Sequence, residues 1–452
     1  MSDALPLPPR PDLQQYKKRA KELVKLCKSG DREALRAWTS EWIDALVKLY
    51  DLDISLPRRG RRAYAPGEVE HRIERTLDRL AGHLKIADPS HRQCTLAKAQ
   101  FAIAREHGFA GWPKFAGHVE DLSQARSVVS AFEAAVEAIV EGDLAKLRKL
   151  LREHPKLVHA RSTREHRSTL LHYVSANGVE DFRQKTPRSI VQITKLLLKA
   201  GADVNAESEA YGGHSNTLGL TATSCHPDAA GVQLDLMELL IDAGSKIDVP
   251  DGGSAVNGCL RNGRGKAAKY LANRGAKLDL EGAAGAGRLD VVKGFFNADG
   301  ILKPPATEKQ LRDGFAWACE FDRIGVVKFL LSTGMQASAA LNRDGRETGL
   351  HWAAFEAHTN IVRLLLDHGA PVNVRDKRHD GTPLDWALYA WGTTADHPRR
   401  DSFYEIIQML IKAGARIDPD WFKQRPAILK KLQSDPRMQA AVGRELKNFL
   451  IS

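Results

Sequence analysis

A short phrase that recurs along the chain constrains its fold more than any other feature. Two apolar residues, two variable positions and a glycine are followed by an alternation of apolar and polar residues, as in LLLKAGADVN and LLLDHGAPVN. The glycines of this phrase are Gly201, Gly244, Gly275, Gly334, Gly369 and Gly414. Their spacing indicates a unit of about 33 residues with insertions, which is typical of a protein that stacks one supersecondary unit.

Each unit has the features of a helix pair. A glycine after an amphipathic run is the residue that best tolerates the left-handed conformation in which many helices end. Upstream lies a second, shorter helical pattern, as in TGLHWAAFEAHTNIVRLLLDHGA. We count eight such units, which begin near residues 132, 168, 216, 252, 281, 314, 347 and 381.

These units resemble the ankyrin repeat, whose pattern combines Thr-Pro-Leu-His, a pair of alanines and a terminal Leu-Leu-x-x-Gly-Ala. The resemblance implies that His172 and His351 hold the turns of their repeats through hydrogen bonds with the threonine three residues earlier. We therefore predict that both histidines are structural and not catalytic. The eighth unit departs from the pattern, because Asp385 stands where the histidine is expected.

The resemblance covers residues 130 to 418 and suggests three parts. We expect a basic N-terminal helical domain at 1–122, an array of about eight repeats at 123–418 and a helical C-terminal cap at 419–452. The predicted fold class is all-α, an ankyrin-repeat solenoid of helix-turn-helix units with short β-like fingers. The N-terminal segment LAKAQFAIAREHGFAGWPKFAGHVEDL also resembles the small helical domain that precedes ankyrin arrays in many bacterial proteins. Core positions are predicted for its aromatic residues Phe101, Phe109, Trp112 and Phe115.

Charge and cysteine content restrict the functional classes. The first 120 residues carry 22 lysines and arginines against 16 acidic residues, so an excess of six out of the chain's +11 lies in about a quarter of its length. Its sharpest basic cluster, Arg58, Arg59, Arg61 and Arg62, could contact nucleic-acid phosphates, although a solvated hinge explains it more simply. Five scattered cysteines argue against a disulfide framework, and the start of the chain lacks the apolar core of a signal peptide. We therefore expect a cytoplasmic protein that neither spans a membrane nor has nucleic acid as its main partner.

The concave surface of a solenoid is the first candidate binding site. In ankyrin repeats the two residues after the alanine pair point into this groove. Repeats six to eight each present one aromatic residue there, Phe321, Phe355 and Tyr389, a pattern suited to gripping an extended peptide. In repeat five, Gly285 and Ala286 are expected to leave open space.

Loops inserted into repeats two and three are the second candidate site. Residues 181–189 and 225–233 are extra residues between the two helices of their units, and an enlarged finger at 207–216 precedes the second insert. Because the two repeats are neighbours, we expect the inserts to lie side by side and form the wall of a pocket. Candidate ligand-binding residues of this rim and the adjoining groove are Asn177, Arg183, Gln184, Lys185, Cys225, Gln233, Arg261 and Asn262.

An enzyme that acts on a small polar substrate at this rim is the alternative function. His226 or His214 could act as a general base, with Asp228 orienting the imidazole and Tyr211 stabilising an anion. No regular Cys/His spacing of a metal site is present, so we predict neither a metal nor a cofactor. The sequence thus favours non-covalent recognition of a protein or peptide in the groove, with a small polar molecule as a further ligand class. It does not identify the partner.

Overall fold

The computed structural model describes residues 4–50, 68–86, 93–124, 126–248, 253–339, 347–394 and 399–443. These residues are mainly helical, as the repeat pattern predicts, and the strands among them form one two-stranded sheet. Within the same residues, no helix is both long enough and apolar enough to cross a bilayer. The chain falls into two compact units. Unit 1 comprises the described residues up to Ala255 together with Asn262–Ala267, and unit 2 comprises Val256–Arg261 and the described residues from Ala268 onward.

Unit 1 begins with helices that lack the repeat pattern. The first, α1, begins after Asp12, whose carboxylate accepts the backbone N–H of Gln14 at 2.8 Å, and it ends at Gly30 in the left-handed conformation. This is the capping that a helix needs at both ends to satisfy its unpaired backbone groups. The five helices are α1 (Leu13–Ser29), α2 (Arg32–Tyr50), α3 (Glu68–Leu84), α4 (Leu96–Glu106) and α5 (Trp112–Ser123).

Aromatic side chains form the core between these helices. Phe109 and Phe115 are fully buried, and their ring centroids lie 5.5 Å apart. Tyr16 of α1 packs edge-on against Phe115 at 4.9 Å. The predicted core role of the two phenylalanines is confirmed.

One disulfide contradicts the expectation drawn from the cysteines. Cys27 of α1 is bonded to Cys94, which lies two residues before the start of α4. The pair is 67 positions apart in sequence, and only the packing of α1 against α4 brings the two side chains together. The sequence argues against a disulfide framework and does not indicate this single bond. The free cysteines are Cys225, Cys259 and Cys319.

Three helix pairs complete the repeats of unit 1. The first members of the pairs pack on one another in chain order and form an inner row, and the second members form an outer row. The pairs are α6 (Val128–Glu141) with α7 (Leu144–Glu153), the 3-10 helix Leu170–Ser175 with α8 (Ile190–Lys199), and α9 (Thr217–Thr223) with α11 (Gln233–Asp242). Between them lie α10 (Cys225–Ala229), the finger strands β1 (Glu207–Ser208) and β2 (Ser215–Asn216), and 3-10 turns at Pro155–His159, Asp181–Arg183 and Ala210–Gly212.

The helices α12 (Ala255–Arg261) and α13 (Gly265–Asn273) form the fourth pair along the chain. In unit 2 the inner row is α14 (Leu280–Ala286), α16 (Glu308–Glu320), α18 (Gly349–Phe355) and α20 (Pro383–Thr393). The outer row is α15 (Leu289–Gly294), α17 (Ile324–Ser332), α19 (Thr359–Asp367) and α21 (Arg400–Lys412). After α22 (Pro419–Lys423), α23 (Pro426–Ser434) packs on α20 and α24 (Pro436–Val442) packs on α21, so this last pair extends both rows.

The signature residues act as predicted. The six repeat glycines all have positive φ angles, between 73° and 97°. His172 and His351 each accept, on Nδ1, the backbone N–H of the threonine three residues earlier, at 3.1 Å in both repeats. Burial lowers the pKa of both histidines to about 4, which keeps the imidazoles neutral. Asp385 accepts the same bond from the backbone N–H of Thr382 at 2.8 Å, so the aspartate replaces the histidine in function as well as in position.

Equivalent asparagines fix the register of successive fingers within each unit. The side-chain amide of Asn205 donates to the carbonyl oxygen of Gly244 at 3.0 Å in unit 1. Asn373 donates to the carbonyl oxygen of Gly414 at 2.9 Å in unit 2. Because the same bond recurs from repeat to repeat, residues at equivalent positions of neighbouring repeats are brought side by side.

Candidate functional site

The insert of repeat three is held by a buried glutamine. Gln233, only 3% exposed, donates its side-chain amide to the carbonyl oxygens of Thr221, Ala222 and Ser224 at 3.0 to 3.1 Å. These carbonyls lie where α9 ends, a place at which helix carbonyls lack helical partners. Gln233 was predicted to contact a ligand, and that prediction is wrong, because its amide braces the loop from inside.

Asn177 also has internal partners. Its amide nitrogen donates to the carbonyl oxygen of Leu220 and to the hydroxyl of Thr223, both at 2.9 Å, and thus ties repeat two to α9. Its amide oxygen accepts the hydroxyl of Tyr211 at 2.6 Å. The Tyr211 side chain is therefore fixed at its tip while the residue stays 67% exposed. His214 of the same finger lies with Nδ1 3.0 Å from the carboxylate of Glu207.

The residues from Cys225 to Ala229 form the short helix α10, which Ser224 precedes. The hydroxyl of Ser224 accepts the backbone N–H of His226 at 3.4 Å and begins the helix. Asp228 forms an ion pair with the buried guanidinium of Arg264. This carboxylate was predicted to orient His226, but residues two positions apart on a helix point to different sides. The partner of Asp228 is therefore Arg264, and the free thiol of Cys225 is partly buried.

The insert of repeat two turns into the protein. Arg183 is buried and lies 2.7 Å from the carboxylate of Glu133 on α6. Arg164 lies 2.9 Å from the same carboxylate and 3.0 Å from Glu180, which is fully buried. Burial would raise the pKa of Glu133, but the two guanidinium groups outweigh it and hold the pKa at about 2. Arg183 thus belongs to an interior ion cluster, which corrects its predicted place on a ligand-binding rim.

The other residues of the predicted rim are distributed differently. Gln184 donates to the carbonyl oxygen of Val179 at 2.8 Å, whereas Lys185 stays exposed and lies 3.2 Å from Glu141. Arg261, in unit 2, lies 3.5 Å from the carboxylate of Glu281. Asn262 is exposed in unit 1.

A small cavity is present in unit 1, away from the inserts. Its volume is about 120 Å³, below the roughly 300 Å³ at which pockets for drug-sized ligands begin. No residue of the two inserts lines it. The lining residues are Val128, Val129, Phe132, Glu133, Ala160, Arg161 and Thr163.

The inner row of unit 2 carries aromatic side chains at its surface. Phe321 directly follows α16, Phe355 is the last residue of α18, and Tyr389 lies within α20. Both phenylalanines are half-buried, and Tyr389 is 42% exposed. Because α16, α18 and α20 pack in sequence, the three residues that were predicted to face the groove are placed on successive inner elements.

Two tryptophans that sequence reasoning missed adjoin this row. Trp352 and Trp386 lie at the same position of repeats seven and eight, one residue after His351 and Asp385. Their ring centroids are 4.9 Å apart at an interplanar angle of 87°, and the ring of Phe355 lies 5.7 Å from that of Trp386. Edge-to-face packing of this kind is favourable and rigid. The recurring Trp-Ala dipeptide in the aligned units could have revealed them. We call the half-buried residues Trp352, Phe355 and Trp386, together with Tyr389, the aromatic platform.

Trp386 is fixed by the finger that precedes α20. Its indole N–H donates to Asp376 at 3.0 Å, and the same carboxylate accepts the backbone N–H groups of Arg378 and His379 at 2.8 and 2.7 Å. Burial raises the pKa of Asp376, but these hydrogen bonds outweigh it and lower the pKa below its usual value. The ionised Asp376 therefore holds the finger tip against the platform.

Repeat five does not leave the predicted open space. Gly285 and Ala286 are buried. A Cβ atom at Gly285 would lie 2.5 Å from the side chain of Leu260 and 3.0 Å from Cβ of Trp317. Trp317 itself is buried, and its indole donates to Glu281 at 3.0 Å. The small residues therefore permit close packing between neighbouring inner helices, and the prediction of open space is wrong.

Comparison with known proteins assigns the repeat type. Residues 315–420 match the family model for ankyrin repeats in three copies, which correspond to repeats six to eight. The chain therefore contains ankyrin repeats, and its all-α class with helix-pair repeats is as predicted. The basic cluster Arg58, Arg59, Arg61 and Arg62 lies outside the described residues, so its proposed contact with nucleic acid stays a prediction.

Several curated proteins are similar to part of this chain. Human palmitoyltransferase ZDHHC17 is 37% identical over 82 residues, which are 18% of this chain and 11% of that protein. The probable E3 ubiquitin-protein ligase XBOS32 of Oryza sativa subsp. japonica is 27% identical over 257 residues, which are 56% of this chain and 41% of that protein. Human ankyrin repeat and SOCS box protein 6 is 33% identical over 92 residues, 20% of each protein. The chain thus spans less than half the length of each of these relatives.

A solved structure is also similar. The human ASB11 ankyrin repeat domain aligns with 60% of this chain and 96% of its own, at 20% identity and a TM-score of 0.31. The relatives named above are eukaryotic, so they give no support to the bacterial resemblance of the N-terminal segment.

Proposed function

We propose that this chain recognises a protein or peptide partner on the inner row of unit 2, and that the aromatic platform provides the main contacts. The observation that carries the proposal is the placement of half-buried or exposed aromatic side chains on successive inner helices. Such side chains give large contact areas at low entropic cost, and they dominate the energy of many interfaces. The platform is also rigid before binding, because its rings pack on one another and Asp376 holds Trp386.

The comparisons support recognition as the shared role. The relatives are named as a palmitoyltransferase, a probable ubiquitin ligase and a SOCS box protein, and each shares with this chain only a fraction of its length. Since names of different activities accompany one kind of repeat, the repeat is better explained as a recognition element than as a catalytic one. The ankyrin family model matches residues 315–420, and this range includes the aromatic platform.

The rim of unit 1 supports an enzyme less well. Three of its predicted polar residues, Arg183, Asp228 and Gln233, are held by internal partners. A general base must come within hydrogen-bond distance of the substrate proton that it removes. Asp228, which was predicted to orient that base, is paired with Arg264 instead. The catalytic roles of His226, His214 and Tyr211 stay predictions that rest on the sequence alone.

Capture of partners from a cell extract tests the proposal. Phe355→Ala combined with Tyr389→Ala should abolish capture of the proteins that the unaltered chain binds specifically. Quantitative mass spectrometry of the captured proteins measures the loss. Phe329→Ala, which removes a half-buried aromatic ring from the outer helix α17, is the matched control and should retain this capture. If the double variant captures the same proteins as the unaltered chain, the aromatic platform is not the binding site.

A further inference from the structure

The surface beside the aromatic platform is basic. The finger at residues 376–380 carries Lys377, Arg378 and His379, all exposed. The His379 ring lies 6.2 Å from that of Trp386. The backbone N–H of Arg378 and the indole N–H of Trp386 bind the two oxygens of one carboxylate, that of Asp376. The backbone that carries Lys377 and Arg378 is therefore held at one edge of the platform.

Among the described residues, no acidic side chain is paired with Lys377 or Arg378. Asp376 is 1% exposed and uses its carboxylate on backbone and indole N–H groups. Asp380 pairs with Arg375 at 2.9 Å, and Arg375 also pairs with Asp418 at 2.5 Å. At the opposite end of the inner helices, Arg399 lies 3.6 Å from Asp322, so acidic and basic groups are matched there. The finger edge is thus the side of the platform at which two cationic side chains, Lys377 and Arg378, are exposed without a paired carboxylate in the described residues.

From this juxtaposition we infer the chemistry of the partner. We propose that the segment bound at the aromatic platform is acidic, with large apolar side chains on Trp352, Phe355 and Trp386 and with carboxylates beside Lys377 and Arg378. This inference rests on the proposed function, because it describes the occupant of the same surface. Complementary charge at the edge of an apolar contact selects the partner and its direction, whereas the apolar contact supplies most of the affinity.

Asp376 is the positioning residue of this arrangement. The backbone bonds to its carboxylate restrict the finger in the absence of a partner, so a bound segment meets cations that are already placed. Preorganised charges cost less ordering on binding than charges on a mobile loop.

Selection from a random peptide library displayed on phage tests the proposal with the full chain. Peptides enriched by the unaltered chain should contain aspartate or glutamate close to aromatic or large aliphatic residues. For a synthetic enriched peptide, Lys377→Glu combined with Arg378→Glu should weaken binding by about tenfold or more, because attraction becomes repulsion at two positions. The loss should shrink as salt concentration rises.

The control has the same change in net charge. Lys328→Glu combined with Lys412→Glu alters exposed residues on the outer helices α17 and α21, and it should leave the affinity within about twofold. Enrichment of neutral or basic peptides, or an equal response to both double variants, overturns the acidic-partner proposal while the proposed function stands. If capture of the enriched peptides is unaffected by Phe355→Ala with Tyr389→Ala, or if no peptide is enriched, the proposed function fails and this inference fails with it.

Discussion

The inner elements of unit 1 and unit 2 occupy equivalent places in their repeats but use different chemistry. In unit 1, polar side chains such as Asn177 and Gln233 turn inward and bind neighbouring backbone groups. A buried cluster of ion pairs around Glu133 and Glu180 joins repeats one and two. In unit 2, the inner helices α18 and α20 pack through apolar residues and leave aromatic rings at the surface.

The difference explains where binding is expected. A buried polar group that has its hydrogen bonds satisfied stabilises one arrangement of the chain, but it offers nothing to a ligand. Half-exposed aromatic rings keep much of their apolar surface in water until a partner covers it. The polar residues of unit 1 therefore stabilise its own fold, whereas unit 2 exposes aromatic surface whose burial by a partner would be favourable.

Removal of Glu180 should break the bracing of unit 1. Glu180→Ala leaves Arg164 and Arg183 buried with one carboxylate fewer, so unit 1 should lose about 3–5 kcal/mol of unfolding free energy. Hydrogen exchange of α6 and α8, read by mass spectrometry, measures the loss. Glu405→Ala removes an exposed partner of Arg363 in unit 2 and should change exchange little. Equal effects of the two substitutions would show that the buried cluster does not brace unit 1.

Close packing of the inner row in unit 2 can be tested at Gly285. Gly285→Val places side-chain atoms against Leu260 and Trp317 and should destabilise unit 2 by about 1–3 kcal/mol. Gly294→Val is the matched control, because a Cβ atom there meets nothing within 4 Å. Thermal unfolding of the two variants should separate them. A control that is as unstable as Gly285→Val would attribute the loss to helix propensity alone.

Acid should affect the stability of the two units in opposite directions, through Asp385 in unit 2 and Glu133 in unit 1. Burial raises the pKa of Asp385 to about 6, so the folded unit 2 binds a proton between about pH 6 and 4 that the unfolded chain does not. Relative to Asp385→Asn, the unaltered chain should gain about 2 kcal/mol of stability as pH falls from 7 to 4. Chemical denaturation at both pH values measures the difference. A stability difference that is independent of pH would mean that Asp385 is not titrating in the folded state.

Glu133 of unit 1 provides the contrast within the same experiment. Its pKa of about 2 in the folded state lies below the usual value, so its contribution is present above about pH 4.5 and is lost as pH falls toward 2. The protection of α6 amides, measured as the exchange rate relative to the intrinsic rate at each pH, should therefore fall with acid across that lower range. Protection of α6 that holds down to pH 2 would contradict this assignment.

The periodic features of the chain could be predicted, because they depend on local rules. The repeat glycines, the threonine–histidine contacts and the helix pairs all follow from residues within one unit of the sequence. The aspartate at Asp385 was recognised as a departure, but its equivalent role needed the structure. Trp352 and Trp386 lay within reach of the same method, since they recur at one position of aligned units.

The contacts of the inserts could not be predicted in this way. Arg183 and Asp228 find partners 50 and 36 positions away, at Glu133 and Arg264, and no spacing in the sequence indicates such pairs. Polarity alone suggested a ligand site, although a polar residue in a loop equally often satisfies the backbone around it. The bond between Cys27 and Cys94 was missed for the same reason.

Hydrogen exchange of the full chain, with and without a peptide enriched in the library selection, tests the central claim most directly. The claim predicts that the peptide slows exchange at residues 352–356, 376–381 and 386–390 of unit 2 and leaves residues 207–233 of unit 1 unchanged. Slower exchange that is concentrated at 207–233, with no change at the aromatic platform, would contradict it.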